Sequence, residues 1–268
     1  MKFIFAFMFA FTATTAFAQA PSVYFSLYDR KVYTLKNKGV RDFVVDMSSA
    51  KLLDQVNDQK IFGRVKELTF RIHWTQSPER LAVDVIGLPE GFFEAKNALR
   101  ASAMPLLDNL LPMTVEQRFP NYKIAPGKMA REFTASDSTG LAPIPSYVLK
   151  FDDQDRLSEV IGKKPLGSWN MNWLYEKKAF SEGKWVVSQV VVTNNEGGQI
   201  LKSTRKLNYG TASGIGVLTE VVLTVEQQGE NPVRTEESIE FKNYKINTGE
   251  GMRYFLGDAP ATAPKSTP

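Results

Sequence analysis

From Tyr147 to Asn247 the chain alternates apolar and polar residues in runs divided by turn-forming residues, and this period of two constrains the fold more than any other feature. "YVLKFDDQDRLSEVI" (147–161) reads as a hairpin with its turn in Asp152–Arg156. "WNMNWLYEKK" places Trp169, Met171, Trp173 and Tyr175 on one face. "KWVVSQVVVTNNEGGQILKSTRKLNYG" reads as a second hairpin turning at Asn194–Gly198. "GVLTEVVLTVEQQ" then pairs, through a loop at 228–232, with "EESIEFKNYKIN". In this last run the phase slips by one residue, because Ile239 and Phe241 are followed by Tyr244 and Ile246. A slip that kept one face apolar requires a β-bulge, expected near Lys242–Asn243, that turns Phe241 and Tyr244 to the same concave side.

The N-terminal half mixes periods. Ser22 to Gly39 reads as a helix capped by Ser22 and stopped by Gly39. "RDFVVDMSS" reads as a strand, and "AKLLDQVNDQ" as a short helical or turn connection. "VKELTFRIHWTQ" and "RLAVDVIGL" form a hairpin around Ser77-Pro78-Glu79, with Leu68, Phe70, Ile72 and Trp74 on one face. Residues 89–111 repeat apolar side chains at three- and four-residue steps, including Leu99, Leu106 and Leu110. Pro105 predicts a kink there, or two consecutive helices. A loop-rich section follows, ending in "TGLAPIPS" (139–146). No repeat or linker divides the chain, so the expected fold is α+β and mostly β. One antiparallel sheet of eight or more strands carries a helix or two on its apolar face, and a sheet that wide tends to curl.

The ends read differently. Lys2, the apolar "FIFAFMFAF" and the small residues of "AFAQA" predict a signal peptide over 1–20, cleaved after Ala18 or Ala20. Its apolar run is shorter than the roughly 20 residues of a membrane span. The chain has no cysteine, so no disulfide and no lipid anchored on an N-terminal cysteine are expected. The expected location is the periplasm. Residues 21–256 then form a single domain, and 257–268 a disordered Pro/Ala-rich tail. Cleavage removes Lys2 and no acidic residue, so the formal net charge of +4 becomes +3. That mild charge, spread over separate pairs such as Lys163-Lys164, argues against nucleic acid as a partner.

The chemistry-bearing residues are few. His73 is the single histidine and falls in the polar phase of its strand beside Arg71, which predicts a surface or sheet-face role. One histidine and no cysteine make no typical zinc site, and no G-x-S-x-G elbow accompanies it. "FDDQDR" lacks the glycine and terminal glutamate of a calcium loop. Gly210, Gly214 and Gly216 precede no helix, as a phosphate loop requires. No catalytic residue, cofactor site or metal site is predicted, and no enzymatic activity. The aromatic ladders and the 89–111 helix support two readings. One is plain core. The other is a hydrophobic cavity lined by Leu68, Phe70, Ile72, Trp74, Leu99, Leu106, Trp169, Met171, Trp173 and Tyr175.

The strings 147–161, "KWVVSQVVV" (184–192), "VLTEVVLTVEQ" (217–227) and "IEFKNYKIN" (239–247) resemble the LolA-like outer-membrane lipoprotein-sorting family. That resemblance implies an unclosed, strongly curved half β-barrel covered by helices, with a cavity for lipid or lipoprotein acyl chains. It implies a periplasmic carrier that takes cargo from inner-membrane release machinery to an outer-membrane acceptor. An alternative on the same fold is a non-transporting envelope sensor or protein-interaction module. The resemblance assigns the family's lid-locking role to no particular arginine of this chain.

Overall fold

The computed structural model describes residues 21–229 and 232–257. The expected signal peptide, and the expected tail beyond Gly257, lie outside the described residues. The chain begins with α1 (Pro21–Lys31), β1 (Asp42–Ser49), α2 (Ala50–Asp58), β2 (Thr69–Gln76), β3 (Glu79–Ile86), α3 (Phe93–Leu110) and α4 (Val115–Arg118). Nine strands follow: β4 (Tyr122–Pro126), β5 (Glu132–Asp137), β6 (Ser146–Phe151), β7 (Leu157–Lys164), β8 (Gly167–Lys177), β9 (Trp185–Glu196), β10 (Gln199–Ala212), β11 (Ile215–Gln228) and β12 (Val233–Ile246). The last element is α5 (Glu250–Leu256).

All twelve strands join one antiparallel sheet in the order β3-β2-β1-β12-β11-β10-β9-β8-β7-β6-β5-β4. The sheet does not close into a barrel, because β3 and β4 remain as its two edges. The chain passes from one edge to the other through α3 and α4. A helix linking opposite edges of a curved sheet must cross its concave side, and α3 packs on both β3 and β11. The wide antiparallel sheet with helices is what the strand periodicity predicts, and its unclosed half-barrel form is what the LolA-like resemblance implies.

The curvature has a local cause. Four strand pairs change register, and they alternate across the sheet: β6/β7, β8/β9, β10/β11 and β12/β1. Three of the shifts leave one hydroxyl residue unpaired on the longer side, namely Ser158, Ser188 and Thr219. Each hydroxyl donates to a carbonyl of the facing strand: Ser158 to Lys150 at 3.1 Å, Ser188 to Leu174 at 3.3 Å and Thr219 to Asn208 at 3.1 Å. The side chain thus fills a gap that the bulge opens in the ladder, and each bulge sharpens the local twist. The surrounding sequences share a pattern, "LSEV", "VSQV" and "LTEV", with apolar residues three apart. The fourth shift explains the slip in "FKNYKIN". Val44 faces Lys245 while Asp46 faces Lys242, so Asn243 and Tyr244 together oppose Val45. Asn243 adopts φ +57°, a left-handed conformation that asparagine tolerates, and its Nδ2 donates to Asp46 Oδ2 at 3.1 Å. Phe241 is buried, and Tyr244 packs against the same core and donates its hydroxyl to the Leu218 carbonyl.

Three readings of the sequence need correction. The first helix ends at Lys31, not Gly39, because Val32 bridges to Trp185 and the Tyr33 amide donates to the Trp185 carbonyl at 2.8 Å. Of the two alternatives at Pro105, only the second is excluded: α3 is one continuous helix that contains it. The expected loop-rich section holds α4, β4 and β5. β4 tolerates Pro126 because it is an edge strand, where a missing amide donor breaks no ladder on the open side.

Candidate functional site

Not all of the concave side is filled. A cavity of about 310 Å3 lies between α2, α3 and the strands β1, β2 and β10 to β12. Its apolar wall comes from Met47, Phe70, Leu106, Leu223, Val225 and Ile239, with Leu52 of α2 at one side. These strand residues share one sheet face by register, since Val221 opposes Ile239 and Leu223 opposes Glu237. Ser49 caps α2 by accepting from the Leu52 amide at 3.2 Å, and its hydroxyl also donates to Glu237.

Polar side chains line it from several elements, among them Ser49, Gln55, Ser102 and Glu237, with Ser203 and Arg205 on β10. Along that strand Leu201, Ser203, Arg205 and Leu207 share the phase that faces inward, and Ser203 and Arg205 border the cavity. Desolvation by burial lowers the Arg205 pKa from its ordinary value, with Asp108 opposing it. Beyond Arg205, a second hollow of about 30 Å3 is bounded by Tyr28, Tyr209, Trp173, Leu207, Arg118 and Asp108, among others. There Arg118 grips Asp108 through two hydrogen bonds of 2.9 and 3.1 Å. Arg118 also lies over the Trp173 ring, 5.9 Å from its centroid. Tyr28 and Tyr175 meet hydroxyl to hydroxyl at 3.3 Å, and burial pushes both phenols up. Neither is ionised near neutral pH, so both phenols act here as hydrogen-bonding groups beside the Arg118–Asp108 ion pair.

The ten residues predicted as a lining occupy different places. Phe70 and Leu106 border the larger cavity. Leu68, Ile72 and Trp74 are enclosed in solid core, with Trp74 stacked on Phe43 at 5.3 Å between ring centroids. Leu99 packs part-buried against that core. Met171 is buried, and Trp173 borders the smaller hollow. Trp169 meets Tyr147 edge-on, and the Tyr175 hydroxyl donates to the Leu157 carbonyl at 2.7 Å. Arg205, Ser203 and Glu237 were not among the expected lining residues. Their signal was a break of polarity in inward-facing positions of β10 and β12.

His73 lies on the opposite sheet face, in register with Val44 and Ala82. It is buried there because Tyr254 of α5 stacks on it at 3.9 Å. α5 can approach so closely because Gly251 has no Cβ; one would sit 2.6 Å from the Trp74 carbonyl oxygen. His73 Nε2 is 3.4 Å from Asp84 Oδ2, without the alignment of a hydrogen bond. Asp84 also accepts from the Tyr254 hydroxyl at 2.9 Å, which makes this group a clasp for α5. Among the described residues no cluster of histidine, aspartate or glutamate could hold a metal ion, and no helix is long and apolar enough to cross a membrane. No known family, curated protein or solved structure matches this chain.

Proposed function

We propose that this protein is a periplasmic carrier or binding protein that holds lipid or lipoprotein acyl chains for trafficking to the outer membrane. The observation that supports this reading is the cavity between the curved sheet and α2 and α3, walled by Phe70, Leu106, Leu223 and Ile239. Each methylene transferred from water into such a space gains about 0.8 kcal/mol, so an acyl chain supplies substantial affinity without any reaction. Release then requires a state in which α2 or α3 stands further from the sheet, or a partner with a competing apolar groove. On this reading the partners are inner-membrane release machinery and an outer-membrane acceptor.

The test is organic extraction of the purified protein followed by mass spectrometry, with uptake of a fluorescent acyl probe measured in parallel. Co-purifying lipid, and probe binding weakened by Leu223→Asp, are expected. A protein that is repeatedly empty and takes up no probe would overturn the reading. Binding without transfer between donor and acceptor vesicles would leave a binding protein and remove the carrier.

A further inference from the structure

The interior treats its arginines unequally. Arg118 is bidentate to Asp108, and Arg156 donates to Asp152 at 2.6 Å; both side chains are largely shielded. Arg205 is the exception. It borders the apolar cavity, its Nε is buried with no hydrogen-bond partner, and no ion pair among the described residues includes it. Asp108 attracts it electrostatically, but that carboxylate already serves Arg118. Glu237, the other charge on the lining, accepts from Ser49. It stands on β12, separated from Arg205 by β11, because Leu223 opposes each of them from either side.

A guanidinium nitrogen buried beside an apolar wall without a partner is costly, and the cost falls when an anion reaches the group. Its planar fork matches a carboxylate or phosphate, and low surrounding polarity strengthens that bond. The cavity volume lies at the lower end of the range of about 300–1,000 Å3 usual for small-molecule sites. We propose that Arg205 is the head-group site of this cavity, receiving the anionic end of an amphiphile whose apolar chain lies along Leu223, Val225 and Ile239. Glu237 repels an anion from the α2 side, so the cavity has a direction: head toward β10, chain toward the apolar wall. This inference rests on the acyl-binding reading and adds to it the charge of the ligand.

Isothermal titration separates the two. The probes are myristate, its uncharged methyl ester and inorganic phosphate, each titrated at pH 8 into wild type, Arg205→Met and Arg205→Lys. Wild type is expected to bind myristate about ten- to a hundredfold more tightly than the ester, the range for a charge-assisted hydrogen bond. Arg205→Met should bring the two affinities together by weakening myristate alone, while Arg205→Lys keeps part of the preference. Phosphate alone should neither bind detectably nor displace myristate. Far-UV circular dichroism establishes that each variant is folded, and the lysine variant keeps the test decisive if the methionine variant is not. Equal binding of acid and ester by wild type, or an undiminished preference in Arg205→Met, overturns the head-group site and leaves the acyl-binding reading standing. Tight binding of phosphate overturns the amphiphile in favour of a free anion. Binding of none of the probes overturns both.

Discussion

Two stretches of the same concave face differ in what they enclose. Under β1 and β2 the inward residues Phe43, Val45, Ile72 and Trp74 are almost fully buried, with Phe43 stacked on Trp74. Under β10 to β12 the inward residues include Ser203, Arg205 and Glu237, and part of the space is open. A bulky, uninterrupted ladder fills its own volume, because close-packed interiors leave few gaps among large apolar side chains. Space opens where shorter or polar side chains interrupt the ladder. In this protein a strong aromatic ladder therefore marks core, and a flawed one marks the cavity.

The sharpest way to break that comparison is to truncate one residue in each region. Trp74→Ala should cost about 3–5 kcal/mol of stability, the range for deleting a large buried aromatic. Leu223→Ala, on the half-open wall, should cost only about 1 kcal/mol, since little packed volume is lost. Urea denaturation of both variants decides the matter, and equal losses would mean that the cavity wall is packed like the core. Next in size is the bulge that ends the sheet's phase slip. Asn243→Val places a β-branched residue at φ +57° and should cost roughly 1–2 kcal/mol, whereas Asn243→Gly should be nearly neutral. If valine is tolerated at no cost, the bulge is not what sets the phase of Phe241 and Tyr244. Arg205→Met comes third. Without ligand it should leave the denaturation midpoint unchanged or raise stability by roughly 1 kcal/mol, because it removes an unpartnered buried donor. A marked loss would show that Arg205 has a structural partner.

The hairpins from Tyr147 onward were legible because their apolar residues alternate with polar ones, as in β12, where Ile239 and Phe241 are buried and Glu240 and Lys242 exposed. The bulge at Asn243 was legible for the same reason, as a phase error between Phe241 and Tyr244. The other three bulges are equally regular but harder to see. In "LSEV", "VSQV" and "LTEV" the apolar spacing of three resembles a helical step as much as a strand defect. β4 and β5 went unread because they are five and six residues long, and Pro126, Pro143 and Pro145 around them signal loops. The end of α1 depends on the Trp185 carbonyl, which no local pattern reveals. Apolar bulk alone does not distinguish lining from core: Phe70 and Leu106 border the cavity, while Ile72 and Trp74 are wholly enclosed. The inward arginine in "LKSTRKL", two residues beyond an inward serine, was the better signal.

The smallest expected effect concerns a third region, a hollow lined mostly by polar and charged side chains. Asp29 of α1 borders a surface hollow that also holds Glu116 and Lys184. Burial, then the Glu116 carboxylate, push the Asp29 carboxyl up to about 6, with Arg118 opposing them. A carboxyl whose pKa is raised on folding binds more protons in the native state, so it lowers stability as pH rises from about 4 through 6. Above that window the penalty is fully present, and below it the penalty is absent. The group is about half shielded, and solvent screening holds the effect under about 1 kcal/mol. Asp29→Asn should therefore raise the urea midpoint slightly at pH 7.5 and leave it unchanged at pH 4. A gain at both values would point to side-chain shape or helix propensity, and no gain at either would mean that the hollow under α1 is as well solvated as open surface.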